Sequence, residues 1–286
     1  MADERAVNGR TEDEDKVTEQ LGKMRTTSGG LRRQTSESEM GKKGAKVVPP
    51  GTAVLPNYFV AIRVTNDEVR KCVRAIQEAV LAHEPNLEPA IIPLSHLHVT
   101  LLMLHLREGQ VQAAKEALRQ AKARVTPQLL QPVQKPGENS KQAATSPKEA
   151  GGRFLLQFNK VAIPFEGLGT FADTKVFAKV AEGSHLATLK QIAETVRACF
   201  AEKSLYPTDD NSFLPHLTVM KITDNNQGKL KSKGIQRISP SLYEGLREKE
   251  LGSQSVEGFQ LCSLRKKRQA DGYFHVEEQV KFGPGG

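Results

Sequence analysis

Residues 93–106 read PLSHLHVTLLMLHL. From Leu97 onward the run is apolar except for its histidines and Thr100, and it carries few helix-start signals. Such a run reads as a buried strand. On a strand, residues two apart share a face. His98 and Thr100 therefore stand side by side, with Val99 and Leu101 on the opposite face. A single histidine next to a hydroxyl in an apolar wall is most often a satisfied core residue.

The pattern occurs twice. Residues 215–222, PHLTVMKI, repeat it with His216, Leu217, Thr218 and Val219. An aromatic-bearing strand precedes each copy, Tyr58 to Val64 and Val176 to Val180. Phe59 to His98 and Phe177 to His216 are both 39 residues apart, and a helical pattern fills each gap. This is an internal duplication, strand–helix–strand twice, with one His-x-Thr per copy. Two facing copies would gather two imidazoles and two hydroxyls around one pocket, and paired titratable groups in a cleft are candidates for function.

Composition sets the bounds. The 286 residues suffice for one large or two small domains, and 38% are hydrophobic. No eighteen apolar residues run together, and MADERAVNGR has no apolar core of a signal peptide and no glycine at position 2. Neither a membrane nor DNA is an expected partner. Cys72, Cys199 and Cys262 are far apart in apolar patterns and read as reduced core thiols of an intracellular protein. The expected location is the cytoplasm, the nucleus or both. No CxxC, HExxH or carboxylate-rich spacing is present, so no metal and no cofactor is expected.

Along the chain, residues 1–53 lack a periodic apolar face and are expected to be a disordered tail. The tail holds ten Lys/Arg against nine Asp/Glu, so nearly all of the formal charge of +8 belongs to residues 54–284. A basic folded part suits an anionic ligand. Within the tail, Arg32 and Arg33 precede Thr35 and Ser36 in the form that basophilic kinases read. Asn66 is the expected cap of a helix whose apolar stripe is Val69, Val73, Ile76 and Val80, ending before Pro85. A second helix is expected over Glu108 to Val125. Residues 127–152, rich in Pro, Gln, Lys, Ser and Gly, are expected to be a flexible insertion.

Beyond it, the pattern predicts a strand over Phe154 to Ile163 and a glycine-punctuated connection over Pro164 to Thr170. A helix capped by Ser184 should run to about Glu202. A turn is expected over Asp209 to Ser212, and a short helix from Ser239-Pro240 to Lys249. A hairpin is expected from Gly258–Lys266 and Tyr273–Phe282.

The paired His-x-Thr motifs suit a specific chemistry. A phosphodiester beside a hydroxyl can be cleaved by in-line attack. One imidazole takes the proton, and the other, protonated, gives one to the leaving oxygen. Threonine hydroxyls can donate to the phosphate oxygens where charge builds up. At these motifs the chain resembles the two-histidine phosphoesterase superfamily. The strings FVAIRVTN, HVTLLML, FEGLGTFADTKVFAKVAEGSHLATLKQIAET, FLPHLTVMKI and LCSLRKKRQADGYFHVEE resemble the central domain of the A-kinase anchoring protein 7 (or 18) family. The resemblance runs from about Asn57 to Val280.

It implies an α+β, bilobal, LigT-like fold with two pseudo-symmetric repeats around a central cleft. It also implies AMP binding and metal-independent hydrolysis of 2′,5′-linked oligoadenylates or related RNA phosphodiesters. His98 and His216 take the catalytic positions, and Thr100 and Thr218 the phosphate-binding ones. A non-catalytic AMP sensor and a kinase-anchoring scaffold are the alternatives. The chain ends at Gly286 without the amphipathic helix that follows this domain in the anchoring proteins, and Ser239–Lys249 is short and charged. The protein kinase A regulatory subunit is therefore not an expected partner of this chain.

Other residues remain open. By strand parity His96 shares the cleft face and stands either in the pocket or at its solvated entry. His105 should point away, and His83 and His185 should be exposed. Tyr273 and Phe274 are either hairpin core or, for one of them, a surface on which a base stacks. Arg265 to Arg268 is a solvated strand end, a phosphate-steering patch or a nuclear import signal.

Overall fold

The structure is a computed structural model that describes residues 54–129, 161–208 and 213–282. The expected tail, the Asp209–Ser212 turn and most of the 127–152 insertion lie outside the described residues.

Among the described residues, eight antiparallel strands form one sheet: β1 Tyr58–Arg63, β2 His98–Leu104, β3 Ala162–Phe171, β4 Lys175–Val180, β5 His216–Lys221, β6 Glu250–Ser255, β7 Gly258–Ser263 and β8 His275–Lys281. Their order is β6-β3-β4-β5-β2-β1-β7-β8. The α-helices among the described residues are α1 Asp67–His83, α2 Gln110–Leu129, α3 Ser184–Ala201 and α4 Asp224–Lys231. The duplication is visible as β1-α1-β2 and β4-α3-β5. Each contributes the two inner strands of a four-stranded half. The halves meet where β2 and β5 pair through Val99 and Leu217. The side-chain amide of Gln77, buried on α1, stitches the junction by donating to Ile92 O (2.8 Å) and Val219 O (3.0 Å).

Alternation divides the sheet into two faces. Val60, Ile62, Val99, Leu101, Leu217 and Val219 join one large core with the apolar stripes of α1, α2 and α3. Phe59 and Ala61 of β1 point the other way, into a small cluster with Cys262, Tyr273 and Phe274 under the β7–β8 hairpin. His98 and Thr100 belong to this second face. The three cysteines are free, with Cys199 and Cys262 buried.

The helix signals for α1 hold: Asn66 Oδ1 accepts from Val69 N at 3.1 Å, and the helix ends at His83, before Pro85. Other expectations are corrected. The second helix runs on through Pro127 to Leu129, so the sequence break comes later than the first proline suggests. Ser184 is the first residue of α3 and Gly183 precedes it as the cap position. Ser239 to Lys249 forms two 3₁₀ turns, Pro240–Leu242 and Glu244–Leu246. The strand expected at Phe154–Ile163 falls mostly outside the described residues. The glycine-punctuated stretch after it is itself β3.

Those glycines have steric reasons to sit in a strand. Gly167 lies at a bulge with φ +75°, where a Cβ would meet Arg247 O at 2.9 Å. Gly169 faces Phe177 across the ladder, and a Cβ there would stand 2.6 Å from the ring. The missing side chain lets Phe177 lie flat over β3. Gly169→Ala should therefore push the ring aside and destabilise the fold by about 1–3 kcal/mol. A shift of the denaturation midpoint measures this; an unchanged midpoint would mean the ring moves freely.

Candidate active site

The two motif strands have the same pattern of burial. In both, the histidine and threonine are half-buried and the residue between them is fully buried. Val99 pairs with Leu217 in antiparallel register. Continuing that register one residue either way sets His98 across from Thr218 and His216 across from Thr100. Each hydroxyl thus neighbours the imidazole of the other repeat. Among the described residues neither hydroxyl has a hydrogen-bond partner, so both are available to a ligand.

The imidazoles are oriented in the same way. His98 Nδ1 lies 2.6 Å from His96 O, and His216 Nδ1 lies 2.8 Å from Leu214 O. A carbonyl only accepts, so each Nδ1 carries its proton. In the neutral ring Nε2 is then the basic nitrogen, and in the cation it is the acid. The aromatic residue 39 positions upstream packs on each ring. Phe59 lies 4.7 Å from His98 between centroids, and Phe177 lies 5.1 Å from His216. A second phenylalanine completes each bracket: Phe274 at 5.5 Å from His98, and Phe171 at 5.3 Å from His216.

Burial pushes both histidines down to about 4, with the backbone carbonyl bond opposing. The charged neighbours all act in the same direction. His216, His96 and Arg268 lower His98, and Lys175 and Lys221 lower His216. A site in which the charges acting on both histidines are positive is prepared for an anion. Arg268 lies over the Phe274 ring at 3.8 Å, so one member of the basic run 265–268 reaches the site. Lys266 of the same run instead pairs with Glu277 at 2.5 Å.

The remaining candidates sort as follows. His96 is not on the strand. It ends a 3₁₀ turn, Leu94–His96, and its Nε2 lies 3.0 Å from Gly272 O, tying the hairpin turn to the site. Tyr273 is fully buried, with the Arg63 guanidinium 4.1 Å over its ring. Its place is the hairpin core, so the base-stacking expectation is corrected for this residue. Phe274, 8% exposed, borders the site. His83 is exposed, as its helix position implies. His105 is half-buried just beyond β2, with Nδ1 at 2.7 Å from Leu55 O. His185 is half-buried rather than exposed as expected, with Nε2 at 2.6 Å from Ala181 O.

Phe171, Lys175 and Lys221 were not singled out in the sequence, because the stretch before Ala172 reads as a loop. The signal available was the alternation of Ile163, Phe165 and Leu168 around two glycines. An open hollow of about 550 Å³ between His83, Leu87, Arg237 and Ser239 carries neither motif. Among the described residues no group of three or more His, Cys, Asp or Glu is placed to hold a metal ion. No described helix is long and apolar enough to cross a membrane.

Two His-x-Thr strands from a duplicated unit, joined at the centre of one sheet with their histidines on the face opposite the large helix-packed core, define a domain of the two-histidine phosphoesterase type. Residues 56–282 match the family described as "AKAP7 2′5′ RNA ligase-like domain", and the chain belongs to that family. Human A-kinase anchor protein 7 isoform gamma is 32% identical over 229 residues, which is 80% of this chain and 58% of that protein. The chain thus spans less than two thirds of that relative.

Solved structures give more distant likenesses. Escherichia coli LigT, complexed with 3′-AMP, is 15% identical with a TM-score of 0.46, over 80% of this chain and 99% of that one. A Thermus thermophilus protein, TT0787, is 22% identical with a TM-score of 0.41, over 79% and 97%. At these scores the likeness adds nothing to the family match.

The low proton affinity of the two histidines has a consequence for stability. Unfolded histidines titrate near 6.5 and these two near 4. Between those values the unfolded chain binds more protons, so stability should fall as pH drops through this window. Denaturant midpoints measured from pH 7 to pH 4 should show the decline, and His98→Gln should reduce its slope. A flat profile would mean that the buried rings accept protons as readily as free ones.

Proposed function

We propose that the chain is a metal-independent phosphodiesterase that binds adenosine nucleotides such as AMP and cleaves 2′,5′-linked oligoadenylate or related RNA phosphodiesters. The observation that carries this reading is the matched presentation of the two rings. Each Nδ1 is bonded to the carbonyl two residues back, which leaves two basic Nε2 atoms and two hydroxyls without a partner among the described residues at one junction.

In the proposed reaction the sugar hydroxyl next to the scissile phosphate attacks phosphorus. One Nε2 takes its proton as the new O–P bond forms. The P–O bond to the leaving nucleoside breaks, and the second Nε2, protonated, supplies the proton that the leaving oxygen needs. Thr100 and Thr218 donate to the non-bridging oxygens, where negative charge is greatest in the transition state. An incoming phosphate also supplies the counter-charge that both histidines lack, which raises their proton affinity on binding and lets one of them serve as acid. Arg268, Lys175 and Lys221 favour entry of the polyanion.

Support for a nucleotide substrate comes from the family match, whose description names a 2′5′ RNA ligase-like domain. Support for an anion comes from the positive charges that act on both rings. The test is turnover of a panel of 2′,5′- and 3′,5′-linked oligoadenylates in EDTA. His98→Ala and His216→Ala should each lower the rate by roughly 10²–10⁴-fold. Thr100→Ala and Thr218→Ala should lower it by up to about 10²-fold. AMP binding without turnover of any member of the panel would make the site a sensor. Activity lost in EDTA and restored by Mg²⁺ would point to a metal-dependent route.

A further inference from the structure

The two repeats differ at the residue that holds each motif imidazole. His98 and His216 both donate from Nδ1 to the carbonyl two residues back, and the residues there are His96 and Leu214. These two occupy the same place in the duplication. Leu214 is 47% exposed, and an apolar side chain makes no hydrogen bond. His96 is half-buried, its ring packs on Phe274 with centroids 5.0 Å apart, and its Nε2 lies 3.0 Å from Gly272 O. A carbonyl only accepts, so Nε2 carries the proton. Burial, and then the charge of Arg268, lower the proton affinity of His96, which leaves the ring neutral near neutral pH.

The turn that His96 grips is fixed by other contacts. Gly272 has φ +82°, and a Cβ there would stand 3.0 Å from Ser95 Oγ, so the hairpin turn lies directly against the 3₁₀ turn. Gly272 N donates to Gln269 O at 3.0 Å, and Gln269 N to Tyr273 O at 2.9 Å. Asp271 accepts from Tyr273 N at 3.0 Å and from Arg63 at 2.6 Å. Arg63 is the β1 residue that pairs with His98.

The contacts close a circuit. It runs from His98 across the ladder to Arg63, through Asp271 to Gly272, and through the His96 ring to the carbonyl that His98 Nδ1 meets. The backbone of the 3₁₀ turn does less to fix that carbonyl. His96 N donates to Pro93 O at 2.8 Å, but Leu97 N stands 3.5 Å from Leu94 O, beyond the usual range of such bonds.

We infer that His96 is a positioning residue: by gripping the hairpin turn it holds its own carbonyl where His98 Nδ1 donates, and so keeps His98 in the tautomer that leaves Nε2 basic. This rests on the acid–base reading of His98 and adds the turn over residues 269–273 to the parts on which that reading depends. His96 takes no part in proton transfer, because its one proton is committed to Gly272 O.

Two variants of the full chain test this. His96→Leu copies the other repeat and removes the grip. His96→Gln keeps an N–H at about the reach of Nε2. Nitrogen-15 spectra of the imidazoles, assigned with His98→Gln and His216→Gln, read the tautomers without any need for turnover. The parent should show His98 protonated at Nδ1. His96→Leu should give mixed tautomers at His98 and leave His216 as it was, and His96→Gln should restore the parent spectrum. On a 2′,5′-linked oligoadenylate, kcat of His96→Leu should fall by about 10- to 10²-fold, the scale of a small misplacement of a reacting group. KM should change little, and His96→Gln should regain most of the rate. An unchanged His98 spectrum in His96→Leu would overturn the proposal. Equal disturbance of His98 and His216, or equal losses in the two variants, would mark a merely structural role and also overturn it. If the parent protein turns over no substrate, the phosphodiesterase reading falls, and the spectra alone decide whether His96 positions His98.

Discussion

The site depends on the pairing of Val99 with Leu217, where the two half-sheets meet. Both residues are fully buried against the helices. Because side chains alternate along a strand, burying them turns His98, Thr100, His216 and Thr218 onto the opposite face. A slip of one residue in either strand would send that histidine and threonine into the apolar core. The burial of Val99, Leu101, Leu217 and Val219 therefore holds the two His-x-Thr pairs in register. Gln77 reinforces the junction from the helix side by bonding the backbones of both halves.

Around that junction, each repeat supplies the same set of constraints to its histidine. A carbonyl fixes the tautomer, a phenylalanine from the neighbouring strand of the same half fixes the ring, and burial, reinforced by nearby cations, keeps it neutral in the free protein. The two halves then differ in their outer parts. On the His98 side, β7, β8 and their turn build an enclosed wall, with Arg63 bonded to Asp271 at 2.6 Å and His96 bonded to the turn. On the His216 side, β3 ends in a tight turn that sets Phe171 against Phe177 and His216, with Lys175 Nζ over its ring. The duplication accounts for the shared chemistry, and these outer additions give the cleft unlike ends.

The centre of this arrangement was legible in the sequence, and its periphery less so. Two His-x-Thr motifs at equal offsets from an aromatic pointed to the repeat and its inner strands; the ring contacts of Phe59 and Phe177 came only with the structure. Long amphipathic stripes gave α1 and α3. What escaped was set by tertiary contacts. Gly167 and Gly169 mimic a loop because their missing side chains serve a bulge and a ring elsewhere in the fold. β6, Glu250 to Ser255, is polar and glycine-bearing, and its place at the sheet edge leaves little alternation to read. α4 carries only one buried apolar residue, Leu230. His96 and Tyr273 were placed by local parity and hairpin position, whereas a 3₁₀ turn and the packing of Arg63 determine where they lie.

The most direct measurement is a double-mutant cycle on the single-turnover cleavage rate of a 2′,5′-linked oligoadenylate, using His98→Ala, His216→Ala and the pair together. If the two imidazoles act as one acid–base unit, each single change removes most of what both supply. The double variant should then be no more than about threefold slower than the slower single one, as expected for residues that work together. Losses that multiply would show two independent contributions. A single variant that retains the parent rate would remove that histidine from the reaction.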